Sequence, residues 1–143
     1  MILRQAELKD KKEVLVIVNE LSLDIPDFVW DKEEFVQKQI QNKEYFVIED
    51  GGRLAGVMSL RSRRNKVSIE TLAVRKEFQL KGLGSRFIEF AKQFAKEKGF
   101  NILHAYSFSE YRASDFYLKK GFKIMDDHGY YKNHKYDCFE LEI

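Results

Sequence analysis

Apolar residues recur along the chain with two different periods, and these periods predict its secondary structure. A period of about 3.6 residues predicts helices that begin near Asp10 and Asp31, at Gly84 and near Tyr111. Short runs rich in β-branched and aromatic residues predict strands. These strands cover residues 2–6, 45–49, 54–60, 67–74, 101–107, 122–125 and 136–143. The sequence therefore predicts the order β-α-α-β-β-β-α-β-α-β-β.

This order predicts the class of fold. The stretch Asp50-Gly51-Gly52 between two strands is typical of a tight hairpin turn. Hairpins with helices inserted between other strands indicate a mixed α/β (α+β) protein rather than a strictly alternating, doubly wound one. We expect a mixed, mostly antiparallel sheet of about seven strands, flanked by about four helices.

Composition limits the classes of protein that this chain can represent. Its 143 residues, 44% of them hydrophobic, predict one globular domain over residues 1–143. No apolar run is long enough to cross a bilayer, and a formal net charge of +2 gives no reason to expect a nucleic-acid partner. Cys138 is the only cysteine, and residues 1–5 lack the features of a signal peptide, so we expect a cytoplasmic location.

A glycine-containing turn between a predicted strand and a predicted helix is the most informative motif, and it suits a phosphate. It reads Gln79-Leu80-Lys81-Gly82-Leu83-Gly84. The pattern of a nucleotide-triphosphate loop is absent, and Phe87 replaces the third glycine of a dinucleotide site. The pattern Gln/Arg-x-x-Gly-x-Gly/Ala, which fits the pyrophosphate of coenzyme A, matches at each fixed position. A plain strand-to-helix turn remains the alternative for this motif taken alone.

A second motif separates these alternatives. The segment Ala113-Ser114-Asp115-Phe116-Tyr117-Leu118-Lys119-Lys120-Gly121-Phe122 has the form Ala-x-x-x-Tyr-x-x-x-Gly-Phe. With the stretch from Ile69 to Gly84, it resembles the GNAT superfamily of acetyl-CoA-dependent N-acetyltransferases. The resemblance extends over essentially the whole chain, and it implies transfer of an acetyl group from acetyl-CoA to a primary amine by direct attack in a ternary complex.

The resemblance also implies which residues hold the cofactor, acetyl-CoA (coenzyme A). The backbone of one strand would pair with the pantetheine arm, and the glycine turn would hold the pyrophosphate. In this sequence the cofactor-binding residues would be Leu72, Ala73, Val74, Gln79, Leu80, Lys81, Gly82, Leu83, Gly84 and Ser85.

The resemblance also implies a general acid and a general base. Tyr117 matches the family's usual general acid, and the alternative is a tyrosine that only packs beneath a helix. The position of the base differs among members of the family. Glu70 is our candidate, because it shares a strand face with Leu72, and the alternative is a solvated strand glutamate.

The sequence leaves the acceptor open between a small amine and a protein or peptide amine. Four aromatic residues would line a groove for a peptide acceptor, namely Phe28, Trp30, Tyr130 and Tyr131. The three histidines are scattered, so we expect no metal site. Glu110 replaces an asparagine that contacts the pantetheine in many relatives, and a non-catalytic acyl-CoA-binding sensor is therefore the alternative function. The sequence does not decide the oligomeric state, and dimers are common in the family, so a homodimer is one alternative.

Overall fold

The computed structural model describes residues 1–21 and 28–143, and it contains seven strands and four helices in these residues. The strands are β1 (Ile2–Gln5), β2 (Tyr45–Asp50), β3 (Arg53–Ser62), β4 (Val67–Val74), β5 (Ile102–Phe108), β6 (Lys123–Tyr131) and β7 (His134–Glu142). The helices are α1 (Lys11–Asn19), α2 (Glu33–Gln41), α3 (Leu83–Glu97) and α4 (Ser114–Lys119). The predicted element order and fold class are confirmed.

The strands form one sheet in the order β1-β2-β3-β4-β5-β7-β6. Antiparallel pairing joins β1 to β2, β2 to β3, β5 to β7 and β6 to β7. Parallel pairing joins β4 to β5, where Val67, Ser68 and Ile69 lie opposite Leu103, His104 and Ala105. The sheet is thus mostly antiparallel, as predicted.

The chain divides into two compact units. The first unit comprises residues 1–60 and 71–87, and its core is formed where α1 and α2 bury their apolar stripes. Val14 and Val36 are completely buried there, together with Tyr45 and Val57 of the strands. The hairpin between β2 and β3 turns through Gly51 and Gly52, whose φ angles of 58° and 84° explain why glycines occupy both positions.

The second unit comprises residues 61–70 and 88–143. Its core contains Leu103, Ala105 and Phe139, which are completely buried, and Tyr117 of α4 packs against Phe139. None of the helices in residues 1–21 and 28–143 has both the length and the apolar character required to span a membrane.

Several element ends differ from the sequence-based expectations. The second helix begins after Lys32 rather than at an Asp31 cap, because the extended backbone of Lys32 already leads into the helix. The helix predicted from Tyr111 is interrupted at Arg112, whose φ of 53° separates a short 3₁₀ turn from α4. Strand β6 continues to Tyr131, well beyond the predicted end at residue 125, because it pairs with β7 up to their connecting turn.

Asp10 stabilises the start of α1 through a network with Arg4. Its carboxylate accepts hydrogen bonds from Arg4 Nη1 and Nη2, at 2.8 and 2.9 Å, and from the Glu7 N–H at 2.7 Å. Arg4 also donates to Glu49 of β2. The hydrogen bonds from Arg4 hold the pKa of Asp10 below its usual range. The side chain therefore links β1, β2 and the first helix rather than serving only as a helix cap.

We expect Asp10→Asn to lower the free energy of unfolding by about 2 kcal/mol at pH 7, because charge-assisted hydrogen bonds to a buried carboxylate are lost. The depressed pKa means that this stabilisation is present above the unfolded-state pKa of about 3.9 and is lost as the pH falls through the folded-state value. Urea unfolding at pH 7 and at pH 3 should show a smaller difference at pH 3. Glu7→Gln, which removes an exposed carboxylate 3.9 Å from Arg4, is the control and should have little effect.

Candidate functional site

The predicted phosphate turn lies in the first unit, between a 3₁₀ turn at Lys76–Phe78 and the start of α3. The Gln79 side chain donates a hydrogen bond through Nε2 to the Val74 carbonyl at 3.0 Å, which fastens the turn to the end of β4. Leu80 and Gly82 have positive φ angles of 64° and 81°. Leu80 is fully exposed, so its left-handed backbone is not explained by burial of its side chain. Strained backbone of this kind is concentrated at functional sites.

The start of α3 directs backbone donors out of the turn. The first helical hydrogen bond runs from the Arg86 N–H to the Gly82 carbonyl at 3.1 Å. The N–H groups of Leu83 and Gly84 therefore have no acceptor within the helix, and the positive end of the helix dipole lies beside them. Lys81 adds a cation, with Nζ 5.5 Å from the centroid of the Phe78 ring. Ser85 lies in the first helical turn.

The space beside Gly82, next to these N–H donors, is open. A Cβ atom at Gly82 would meet no atom within 4 Å, so it is the positive φ, and not a close neighbour, that requires glycine there. Free N–H groups, a helix N-terminus and a nearby lysine fit a pyrophosphate. The turn therefore has the chemistry that the sequence pattern predicts.

The C-terminal end of β4 carries the residues expected to pair with pantetheine. Ala73 is buried, whereas Leu72 and Val74 are half-buried and lie on the other face of the strand. The Val74 carbonyl already accepts the Gln79 side chain.

Sequence reasoning missed Gly56 of β3. A Cβ atom there would lie 3.0 Å from the Ala73 carbonyl oxygen and 3.1 Å from the Phe87 ring. Glycine at this position thus lets β3, β4 and the first turns of α3 approach closely. Its signal in the sequence was an isolated glycine within a strand pattern, which indicates close backbone approach.

Glu70, the candidate base, lies in the second unit and is bound by two arginines. Its Oε1 lies 3.5 Å from Arg61 Nη1 and 3.8 Å from Arg63 Nη2, and its side chain is only 11% exposed. Both arginines belong to the basic run Arg61-Ser62-Arg63-Arg64-Asn65-Lys66, which turns from β3 to β4, and the Arg63 N–H donates to the Lys66 carbonyl at 2.8 Å. Two of its arginines point at the candidate base, which the sequence did not predict.

Tyr117, the candidate acid, is packed among aromatic rings of the second unit. Its ring stacks on Phe139 with centroids 4.8 Å apart, and both Phe116 and Phe122 lie at 5.2 Å. Burial raises the pKa of Tyr117 well above its usual value, so the hydroxyl remains protonated. No group in residues 1–21 and 28–143 forms a hydrogen bond with that hydroxyl.

Strand register shows that these two candidates lie on opposite faces of the same part of the sheet. Ser68 lies opposite His104 in the parallel pair, so the alternation of side chains places Glu70 on the same face as Tyr106. Tyr106 lies opposite Cys138, whereas the next residue of β7, Phe139, points to the other face, where Tyr117 stacks on it. A carboxylate and a phenol thus flank the second unit's strands from two sides.

The predicted aromatic residues of the acceptor site fall into separate groups. Phe28 is buried in the first unit against Trp30, with centroids 5.4 Å apart. In the second unit Tyr131 packs on Phe108 at 6.3 Å, whereas Tyr130 is 65% exposed and contacts His128. Consecutive strand residues point to opposite faces, so the side chains of Tyr130 and Tyr131 lie on opposite faces of β6.

Other polar residues have structural roles. Glu110 forms an ion pair with Nδ1 of His134, and this hydrogen bond holds the pKa of Glu110 below its usual range. Burial raises the pKa of the Cys138 thiol, which makes it a poor nucleophile. Across the described part of the chain, no group of three or more His, Cys, Asp or Glu side chains could hold a metal ion.

Solved structures similar to this one share its fold. The PaiA N-acetyltransferase of Thermoplasma acidophilum, in complex with coenzyme A, is 17% identical with a TM-score of 0.80, over 99% of this chain and 98% of that one. The ribosomal-protein-S18-alanine N-acetyltransferase of Escherichia coli is 19% identical with a TM-score of 0.77, over 99% of this chain and 93% of that one. At these identities the likeness shows the fold alone.

A third similar structure is the N-acetylglutamate synthase of Neisseria gonorrhoeae, complexed with coenzyme A and N-acetyl-glutamate. It is 20% identical with a TM-score of 0.80, and the match covers 99% of this chain and 35% of that one. A search of curated proteins found no match.

A sequence model of the acetyltransferase (GNAT) family matches residues 15–122, which is more than half of the chain. This match confirms the predicted resemblance, the prediction of an acetyltransferase and the prediction of acetyl-CoA as the acyl donor. The chain therefore belongs to the GNAT family of acetyltransferases.

Proposed function

We propose that this acetyltransferase transfers the acetyl group of acetyl-CoA to a primary amine by direct attack in a ternary complex. The observation that carries the proposal is the turn from Gln79 to Ser85, which is fastened to the end of β4 and leads into the N-terminus of α3. The positive φ of Gly82 and the helix N-terminus fit the pyrophosphate of acetyl-CoA. Residues 1–143 would act as a single N-acetyltransferase domain.

The cofactor-binding residues that we propose are those expected from the sequence. The turn from Gln79 to Ser85 would hold the pyrophosphate through backbone N–H groups. The backbone of Leu72, Ala73 and Val74, at the end of β4, would hold the pantetheine arm. Bound acetyl-CoA supplies the activated thioester. The fastening of Gln79 to Val74 would keep these two binding elements in a fixed relation.

Glu70 would remove the proton of the acceptor. An amine with a pKa of about 10.4 is mostly protonated at pH 7, and deprotonating it costs about 4–5 kcal/mol. Its carboxylate lies 3.5 Å from Arg61 and 3.8 Å from Arg63, and it would accept the proton directly or through water. As the C–N bond forms and the C–S bond breaks, the amine's proton passes to Glu70.

Tyr117 would supply a proton to the departing thiolate. Its raised pKa keeps the hydroxyl protonated throughout the neutral range, and its ring is fixed by Phe116, Phe122 and Phe139. A hydroxyl that has no partner in the described residues is available to a substrate atom without first breaking a protein hydrogen bond. Both proton transfers are then assigned to side chains of the second unit.

The test is thiol release from acetyl-CoA with a panel of primary amines, combined with direct measurement of acetyl-CoA binding. We expect release that depends on the amine. Binding without release for every amine would favour the alternative, a non-catalytic acyl-CoA sensor. The predicted cytoplasmic location, the homodimer and the choice between small and protein amines stay predictions.

We expect Glu70→Gln to lower kcat/KM about 10²-fold at pH 7, because the proton acceptor is lost. The defect should shrink as the pH approaches the pKa of the amine, since the fraction of neutral amine then rises without help from the protein. A pH–rate profile measures this. Glu140→Gln, which changes another carboxylate on the face that carries Tyr106, is the control and should leave the rate unchanged. An equal defect at all pH values would contradict the role of Glu70 as base.

A further inference from the structure

Arg75 lies between the two elements that would bind acetyl-CoA, directly after Val74 of β4 and directly before the 3₁₀ turn at Lys76–Phe78. The Arg75 N–H donates to the Ala55 carbonyl of β3 at 2.8 Å, and the Arg75 carbonyl accepts the Phe78 N–H at 2.9 Å. The residue therefore marks the point at which the chain leaves β4 and begins the connection to α3.

The Arg75 guanidinium binds two further groups of the first unit. Its Nε donates to the Leu54 carbonyl at 2.8 Å, and its Nη2 lies 3.2 Å from Oε2 of Glu13 in α1. The same oxygen of Glu13 accepts the Leu54 N–H at 2.8 Å. Leu54 is only 2% exposed, and an unpaired buried backbone group is costly. The two side chains thus supply partners to both backbone polar groups of Leu54.

These contacts fix the orientation of the arginine. A guanidinium is planar and presents its N–H donors in a rigid fork, so two partners define the position of its plane. The Arg75 side chain is 14% exposed, so water competes little for its donors. Arg53 differs in this respect. It pairs with Glu77 of the same 3₁₀ turn at 3.0 Å, but both side chains of that pair are more than half exposed, and exposed pairs contribute little.

We propose that Arg75 is a positioning residue for acetyl-CoA and that Glu13 acts through it. The pantetheine arm would lie along the end of β4 and the pyrophosphate on the turn from Gln79 to Ser85, so one cofactor molecule must contact both elements. The affinity of such a ligand depends on the relative placement of the two elements, because binding of the second part is intramolecular once the first is bound. This inference rests on the proposed binding of acetyl-CoA.

Arg75 and Gln79 fix that placement in different ways. The Gln79 side chain donates to the Val74 carbonyl, which ties the two binding elements to each other at an exposed position. The Arg75 side chain ties the start of the connection between them to β3 and to α1. Loss of the guanidinium would leave the hydrogen bond of Gln79 in place but would allow the turn to shift against the sheet.

The first experiment is calorimetric binding of acetyl-CoA to Arg75→Gln, to Glu13→Gln and to the double variant. We expect binding about 10-fold weaker in Arg75→Gln and about 3-fold weaker in Glu13→Gln, which retains an amide oxygen for the Leu54 N–H. The double variant should bind no more weakly than Arg75→Gln, since residues that act through one contact are not additive. Arg53→Gln is the matched control and should bind as the parent protein does.

The second experiment separates positioning from overall stability. S-acetylpantetheine carries the thioester without the pyrophosphate, and ADP carries a pyrophosphate without the pantetheine arm. Each would contact only one of the two elements. In Arg75→Gln, kcat/KM for S-acetylpantetheine and the inhibition constant of ADP should therefore change less than about 2-fold. Urea unfolding of the same preparations measures the change in stability directly.

Three results would overturn the inference alone. Parent-like affinity for acetyl-CoA in Arg75→Gln would remove its role, and equal losses with acetyl-CoA, S-acetylpantetheine and ADP would make it a residue of overall stability. Additive losses in the double variant would show that Glu13 does not act through Arg75. If Arg75→Gln does not fold, Glu13→Gln decides between the first two outcomes. Acetyl-CoA binding without thiol release for any amine would instead overturn the proposed acetyl transfer.

Discussion

Replacing Tyr117 by Phe lowers kcat about 10²-fold and leaves the dissociation constant of acetyl-CoA nearly unchanged, if Tyr117 is the acid. The change removes one oxygen atom from a side chain whose ring packs on Phe139 and Phe122. The ring contacts remain in the variant. Because no described residue forms a hydrogen bond with the hydroxyl, no protein group loses a partner, and the free energy of unfolding should change little.

The measurements are steady-state thiol release, calorimetric binding of acetyl-CoA and urea unfolding of the same preparation. Tyr45→Phe is the matched control, because Tyr45 is another completely buried tyrosine, in the first unit, with no catalytic role assigned to it. Its rate should equal that of the parent protein. A parent-like rate in Tyr117→Phe would remove the role of general acid. A large loss of stability would show that the hydroxyl is structural.

Replacing Gly82 by Val is expected to weaken acetyl-CoA binding about 100-fold, equivalent to about 2.7 kcal/mol. Gly82 has a φ of 81°, a region in which a β-branched residue is strained by about 1–3 kcal/mol. The Gly82 carbonyl also accepts the first hydrogen bond of α3, from Arg86. A turn that relaxes to relieve the strain would therefore displace the N–H groups of Leu83 and Gly84, which point at the proposed pyrophosphate.

Two companion variants separate backbone conformation from bulk. Gly82→Ala adds only a Cβ atom, which meets nothing within 4 Å, so any loss of binding reports the φ angle itself. Leu80→Gly makes the reverse change, since it removes a side chain from a position with a positive φ of 64°. The Leu80 side chain is fully exposed, so no packing is lost. Glycine there should stabilise the protein by about 1 kcal/mol and preserve binding. Normal binding by Gly82→Val, measured by calorimetry, would contradict the assignment of the turn.

Local pattern was enough to predict the elements. Helix stripes and strand runs gave the order of seven strands and four helices, because periodicity depends only on neighbouring residues. Element ends were less predictable. The extension of β6 to Tyr131 depends on pairing with β7, and the interruption at Arg112 depends on a left-handed residue that no composition signal marks.

The candidate site was predictable only in part. The glycine turn and Tyr117 carry motifs, so their positions in the chain were sufficient to single them out. The binding of Arg61 and Arg63 to Glu70 was not predictable, because it depends on how the chain turns from β3 to β4. Glu110, which replaces a common asparagine, proved to bind His134 in a strand 24 residues further along the chain.

The sequence by itself determined the fold class, the family resemblance and the acyl donor, since each depends on residue types at short, fixed spacings. Only the tertiary structure decided which residues share a face. It placed Glu70 with Tyr106 on one side of the strands and Tyr117 with Phe139 on the other, and it separated Tyr131 from Tyr130. The physical reason is that side chains alternate along a strand, but the register between strands is set by contacts far apart in the chain.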